Sequence, residues 1–264
     1  MTYCVGVLLE QGMVFASDTR TNAGVDQVAI VPKMHIFEVK NERVIVLMTA
    51  GNLAITQSVV NSLKLKLMDD ENTHLNNVGS LFEAASLVGD EVRATFARDG
   101  AFLKDHDIDF NATILIGGQI KGEMPRLFKV YAAGNFIEIG QDTPYFQIGE
   151  TKYGKPIIDR VVKYDTDMMD AVKCLLVSFD STIRSNVSVA APIDLLIYRT
   201  DSFNADCKQR IGESDPYFSA IRQGWGTGLK QVFADLPSPD WCTEITASVL
   251  SNSATSTSDM GVKA

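Results

Sequence analysis

The amino-acid sequence predicts an α+β protein built as a four-layer αββα sandwich of two mostly antiparallel sheets. Hairpin patterns dominate the predicted strand order, so neighbouring strands should run antiparallel. Helical patterns come in pairs, and each pair can cover the outer face of one sheet. The chain has 264 residues, enough to bury a large core without disulfides. An α+β domain with one sheet is the alternative architecture.

The first half of the chain predicts two hairpins followed by two helices. Strands alternate with short turns over residues 2–9, 13–17, 34–39 and 43–49. The polar, Gly- and Asn-containing stretch 18–27 is interpreted as a loop. Apolar residues then recur at helical spacing over 53–68 and 81–96, which predicts two amphipathic helices.

The second half predicts a further set of strands, then helices, then a last strand. The strands are expected at residues 112–116, 127–132, 136–139, 145–148 and 193–198. The helices are expected at 156–162, 168–183 and 217–233, the last in spite of three glycines. Residues 1–250 are interpreted as a single domain. The Ser-, Asn- and Thr-rich segment 251–264 is interpreted as a flexible tail.

Composition and charge exclude several classes of function. The net charge of −9 argues against nucleic acid as the main partner, because phosphate binding needs clustered Lys and Arg. No apolar run reaches the roughly 20 residues that cross a bilayer, and no signal peptide is recognisable. Four scattered cysteines indicate reduced thiols and a cytoplasmic location. Three dispersed histidines do not suggest a metal site, and no cofactor is expected.

Thr2 is the first candidate for chemistry, because it opens the first predicted strand. A small second residue normally permits removal of Met1, which would leave a hydroxyl and a free α-amine on one residue. The amine, with an ordinary pKa of about 7.7–8.0, can then take the proton of the hydroxyl. A threonine after methionine is common, so the position alone is weak evidence for a nucleophile.

Three further residues are expected near Thr2. Asp18 ends the second strand, so hairpin pairing brings it beside the start of the first. Lys33 precedes the third strand; its charge would lower the pKa of the amine, and Asp18 could hold it by a charge-assisted hydrogen bond. Gly51 follows the fourth strand and could present a backbone N–H to an oxyanion. Each also has an ordinary structural explanation, as a turn, edge or loop residue.

Several segments resemble a proteasome β-type subunit. They read T-Y-C-V-G-V, V-F-A-S-D-T-R-T-N-A-G, K-M-H-I-F and T-A-G-N-L-A. The resemblance extends over nearly the whole chain. Through M-T-Y-C-V-G, S-D-T-R-T-N-A-G-V-D and A-P-I-D-L-L-I-Y it is most similar to the bacterial proteasome homologues called Anbu. The family has an αββα fold, which agrees with the predicted element order.

The resemblance implies a threonine peptidase or amide hydrolase. Thr2 would be the nucleophile and its α-amine the base, Lys33 would tune that amine, Asp18 would orient Lys33, and Gly51 would bind the oxyanion. The matching substrate-binding positions are Arg20, Thr21, Asn22 and Thr49. The backbone of Thr21 and Asn22 would pair with an extended peptide.

Two departures from the family pattern affect the support of the amine. The family often has a Ser after a Gly ahead of the third helix, where this chain has Glu150 and Thr151. It also has an Asp closely followed by Ser after the fourth helix, and Asp180 with Ser188, or Ser185, is assigned to that place. These departures argue for weak peptidase activity. Cys4, on the same strand face as Thr2, is interpreted as a packed core thiol.

The resemblance also implies a homo-oligomer, ring-like or spiral, that acts on a peptide or amide substrate. The resemblance leaves an unfolding partner open. Two alternatives stay open: a catalytically silent structural subunit and a non-peptide amidohydrolase. No long pro-segment precedes Thr2 in the sequence, so activation is expected to depend on removal of Met1.

Overall fold

The computed structural model describes residues 2–23, 27–69 and 71–239. The chain forms two compact units, residues 1–222 and 223–264. The predicted tail, 251–264, lies outside the described residues. None of the described helices combines the length and the apolarity that a membrane span needs.

The described elements follow one another from β1 to β12 and from α1 to α5. The strands are β1 Tyr3–Leu9, β2 Gly12–Asp18, β3 Arg20–Ala23, β4 Gln27–Ile30, β5 Met34–Val39, β6 Arg43–Gly51, β7 Ala112–Ile120, β8 Arg126–Val130, β9 Phe136–Glu138, β10 Tyr145–Gly149, β11 Ile193–Arg199 and β12 Lys208–Ile211. The helices are α1 Leu53–Lys66, α2 Leu81–Asp105, α3 Lys155–Val161, α4 Met168–Ser185 and α5 Pro216–Asp235.

Two five-stranded antiparallel sheets form the frame of the first unit. One has the strand order β10-β1-β2-β11-β12, and the other has the order β5-β6-β7-β8-β9. In the first sheet Cys4 pairs with Ser17 of β2 and with Ile148 of β10, so β1 lies between these two strands. In the second sheet β6 lies between β5 and β7, and its end at Gly51 pairs with Ala112 of β7.

Three apolar cores confirm the four-layer sandwich. The first core joins the outer face of the first sheet to α4, through residues such as Val5 and Leu175. The second joins the outer face of the second sheet to α1 and α2, through residues such as Leu47 and Val88. The third lies between the sheets and contains Phe15 and other side chains that alternate with those of the first core along β1 and β2. The site described below opens at the edge of this inner core.

The prediction of a loop over 18–27 was wrong. The structure has a two-stranded antiparallel ribbon there, β3 with β4, in which Thr21 pairs with Ala29. Hydrogen bonds fix the base of the ribbon: Val31 N donates to the carbonyl of Thr19, and Thr19 Oγ1 donates to the carbonyl of Pro192. These are mostly backbone interactions, and the short polar segments give little side-chain pattern from which to predict them.

Candidate active site

Thr2 lies immediately before β1 and is buried. Its carbonyl accepts a 2.7 Å hydrogen bond from the backbone N–H of Glu150, just beyond β10. The N–H of Tyr3 donates to Oδ1 of Asp18 at 2.9 Å. The start of β1 is therefore fixed from both neighbouring strands.

Asp18 and Lys33 form a buried ion pair beside Thr2. Lys33 Nζ lies 2.7 Å from Oδ1 of Asp18 and also donates to the carbonyl of Arg20 at 2.6 Å. Burial raises the pKa of the Asp18 carboxyl, while the charge and hydrogen bond of Lys33 and the amide of Tyr3 oppose that rise. The lysine ammonium is thus held between β2 and the start of β3.

Gly51 ends β6 in a backbone conformation that would be strained for any residue with a side chain. Its φ is +118°, and a Cβ there would collide with the carbonyl of Asn111. The next residue, Asn52, donates its N–H to that same carbonyl and caps α1 by accepting from Ala54 N. The turn is therefore fixed on both sides of Gly51.

Thr2, Lys33 and Gly51 meet in a cavity of about 560 Å³. The residues predicted from the sequence that line it are Thr2, Thr21, Lys33, Thr49 and Gly51. Asn52, Thr56 and Asn111 also line it, and the sequence analysis missed them. Apart from Lys33, the lining side chains are uncharged.

Arg20 and Asn22 lie in β3 of the ribbon, and Arg20 is not among the described residues that line this cavity. The carbonyl of Arg20 holds Lys33, whereas the residue itself borders a second cavity of about 380 Å³. The backbone of Asn22 lies in β3, where it pairs with Val28.

Glu150 and Asn186 form a contact that the sequence did not reveal. Glu150 is buried, and its Oε2 accepts from Nδ2 of Asn186 at 3.0 Å. Asn186 is the C-cap of α4, and its Oδ1 accepts from the N–H of Ser188 at 2.9 Å. Ser188 therefore enters this network through its backbone. The sequence pointed to Glu150 because this residue follows Gly149 ahead of the third helix, whereas no sequence pattern pointed to Asn186.

Asp180 lies apart from the cavity of Thr2. It is buried, and it contacts Arg184 and Arg222 at 3.0 Å each, neither of which lines that cavity. Ser185 is exposed at the last position of α4. The sequence had grouped Asp180 with the support of the amine; the structure instead brings Glu150 and Asn186 to that end of the first strand.

Cys4 is fully buried, with its Sγ 3.8 Å from the carbonyl of Thr49. Burial raises the pKa of its thiol far above the ordinary value, so little of the reactive thiolate forms at neutral pH. In the described part of the chain, no group of three or more His, Cys, Asp or Glu side chains is arranged to hold a metal ion.

Comparison with known proteins is consistent with this geometry. The model of the family described as "Proteasome subunit" matches residues 2–197. The solved structure of Anbu (ancestral beta-subunit) from Yersinia bercovieri is 53% identical, with a TM-score of 0.86, over 90% of this chain and 99% of that one. An Anbu mutant (Gly-1) from Hyphomicrobium sp. strain MC1 is 48% identical, with a TM-score of 0.85, over 91% and 100% of the two chains.

A third similar structure is the helical assembly of the Anbu complex from Pseudomonas aeruginosa. It is 47% identical, with a TM-score of 0.86, over 90% of this chain and 98% of that one. Comparison with curated proteins gave no match.

Proposed function

The chain belongs to the proteasome subunit family, and from this premise we propose that it hydrolyses peptide or amide bonds with Thr2 as an N-terminal nucleophile. The observation that carries the proposal is the meeting of Thr2, Lys33 and Gly51 at one cavity, where Lys33 is held by its ion pair with Asp18. Removal of Met1 frees the α-amine beside the hydroxyl that it would deprotonate.

The reaction is an acyl transfer in two steps. The Thr2 hydroxyl oxygen attacks the substrate carbonyl while the α-amine takes its proton, and the N–H of Gly51 stabilises the oxyanion. The resulting ammonium protonates the leaving amine, which departs and leaves an ester on Thr2. The amine then deprotonates a water molecule that hydrolyses the ester. Lys33 lowers the pKa of the amine, so that more of it is the neutral base.

The ribbon provides a binding edge for an extended substrate. β3 pairs with β4 along one edge, and Thr21 of β3 lines the cavity of Thr2. A peptide that adds a strand to the opposite edge of β3 would pass the nucleophile. Thr49, a small and nearly buried side chain, would form a roomy, mildly polar pocket floor.

The protein is also proposed to assemble into a homo-oligomer, ring-like or spiral. A solved relative is a helical assembly. In this chain α1 and α2 expose several large apolar side chains, which favours burial against another subunit. They are Leu65, Phe82, Phe96 and Phe102, with exposed fractions of 67%, 51%, 53% and 70%. The free thiols of Cys4, Cys174 and Cys207 favour a reducing compartment such as the cytoplasm.

An epoxyketone tests the proposed nucleophile, because this reagent requires the hydroxyl and the α-amine of the same residue. We expect intact mass to show loss of Met1 and one adduct. Thr2→Ser should also react, since it keeps both groups, whereas Thr2→Ala should not. An unmodified mass for a protein that begins at Thr2 would contradict the proposal and favour a structural subunit.

A further inference from the structure

Glu150 differs from the other buried acidic side chains in its partners. The described residues include five buried carboxylates: Asp18, Glu91, Glu150, Asp180 and Asp194. Four of them form ion pairs, with Lys33, Lys66, Arg184 and Arg222, and Arg210, respectively. Glu150, only 8% exposed, accepts from the Asn186 amide at 3.0 Å and from the backbone N–H of Lys152 at 3.3 Å.

Neither partner of Glu150 is a cation, and this is costly for a buried charge. Within the described residues no Lys, Arg or His side chain forms an ion pair with it. A buried carboxylate is normally paired with a cation, since removal from water costs several kcal/mol per ion. A counter-charge at this place would therefore stabilise the folded protein.

The missing cation can come from the residue that Glu150 already contacts. Its N–H binds the carbonyl of Thr2 at 2.7 Å, and the α-amine of Thr2 is two covalent bonds away from that carbonyl carbon. The backbone is fixed there, because Gly149 has a φ of +82° and a Cβ on it would collide with the Thr2 carbonyl. Hydrolysis of the Met1–Thr2 bond converts an uncharged amide nitrogen into an amine that can carry a positive charge.

We propose that Glu150 is the counter-ion of the α-amine of Thr2, and that Asn186 fixes its carboxylate in place. Glu150 is then a positioning residue for the nucleophile. The inference rests on the proposed role of a free Thr2 amine. Removal of Met1 would both expose the base and supply the cation that the buried carboxylate lacks.

The charges around the amine give the expected direction of the effect. Lys33 lowers the pKa of the amine, although Asp18 neutralises part of its field. Glu150 raises that pKa, because an anion favours the ammonium form. On α4, the side chain of Arg184, two residues before Asn186 in the chain, is paired with Asp180. The thiol of Cys4 stays uncharged at neutral pH.

The pKa of the amine can be measured without any substrate. The full chain is made from a cleavable N-terminal fusion so that it begins at Thr2, and is then labelled with trace acetic anhydride at a series of pH values. We expect Glu150→Gln, which keeps the acceptor for Asn186, to lower the midpoint by about one pH unit. Glu150→Asp, which keeps the charge, should restore much of the wild-type midpoint. Glu10→Gln, an exposed control, should leave it unchanged.

An unchanged midpoint in folded Glu150→Gln would overturn the proposal. If that variant does not fold, Asn186→Ala replaces it, since it removes the amide that anchors Glu150 and leaves the carboxylate itself in place. A midpoint equal to wild type in Asn186→Ala would then overturn the proposal. Labelling reports on the ion pair even where the epoxyketone forms no adduct, so failure of the counter-ion and failure of the nucleophile are distinguishable.

Discussion

Thr2 has two flanks, one formed by Asp18 and Lys33 and the other by Glu150 and Asn186, and they differ in how their buried charges are paired. On one flank Lys33 is paired with Asp18 and with a backbone carbonyl, so its charge is compensated within the fold. On the other flank the carboxylate of Glu150 has only an amide side chain and a backbone N–H as partners. The charges of the first flank are paired whether or not Met1 is removed. The second gains a cation only when the α-amine is freed, so maturation should act mainly through the Glu150 flank.

Lys33→Ala should have the largest effect of the variants considered. It leaves Asp18 as an uncompensated buried charge, which typically costs about 3–5 kcal/mol of the free energy of unfolding. It also removes the charge that keeps the amine neutral, and we expect adduct formation to slow by roughly 10²–10⁴-fold. Urea denaturation and epoxyketone kinetics measure the two effects. Lys173→Ala, on an exposed ion pair of α4, should change both by little.

Asp18→Asn removes the anion of the same flank and keeps its shape. Lys33 and the N–H of Tyr3 lose a charged acceptor, and hydrogen bonds to charged groups contribute about 1.5–3 kcal/mol each. We expect a smaller loss of stability than in Lys33→Ala, together with slower adduct formation. Asp109→Asn, at an exposed position, is the control. Equal losses of unfolding free energy in Asp18→Asn and Asp109→Asn would mean that the buried pair of Asp18 and Lys33 stabilises the fold no more than an exposed carboxylate does.

Gly149→Ala perturbs the other flank through the backbone alone. The added Cβ would collide with the Thr2 carbonyl, and a positive φ strains any residue with a side chain by about 1–3 kcal/mol. Gly122→Ala is a matched control, because Gly122 also has a positive φ, +95°, but open space around its Cβ position. The difference between the two in urea denaturation isolates the collision. We expect only Gly149→Ala to slow adduct formation. An equal loss of unfolding free energy in Gly149→Ala and Gly122→Ala would show that the collision with the Thr2 carbonyl has no effect on stability.

The two flanks were also unequally predictable from the sequence. Asp18 was placed beside Thr2 correctly, because a tight hairpin brings the end of its second strand to the start of its first. Lys33 was found because it directly precedes a strand. Glu150 and Asn186 lie 36 residues apart in the chain, and only the packing of α4 against the first sheet brings them together. No periodic pattern encodes a contact of that kind.

The fold shows the same division between local and non-local information. The helices and the long strands were predicted because apolar side chains mark their buried faces. The β3–β4 ribbon was missed because its polar residues pair mainly through the backbone. Asp180 was assigned to the site from its place in the chain, but its side chain contacts Arg184 and Arg222. Helix periodicity predicts which face of α4 is buried, and it does not predict which charges meet there.

His35, on β5 two residues after Lys33, should make the Lys33 flank moderately sensitive to acid. Burial, with a smaller contribution from the charge of Lys64, lowers the pKa of His35 to about 4. The unfolded chain takes up this proton near its ordinary pKa of about 6.5, whereas the native protein does not until lower pH. The contribution of His35 to the free energy of unfolding is therefore constant well above pH 6.5. It falls as the pH decreases towards 4, by about 1 kcal/mol at pH 5.5. His35→Gln should remove this part of the pH dependence in urea denaturation at pH 7.5 and 5.5. His106→Gln, at an exposed position, should retain it. Identical pH slopes in wild type and His35→Gln would mean that His35 titrates normally in the folded protein.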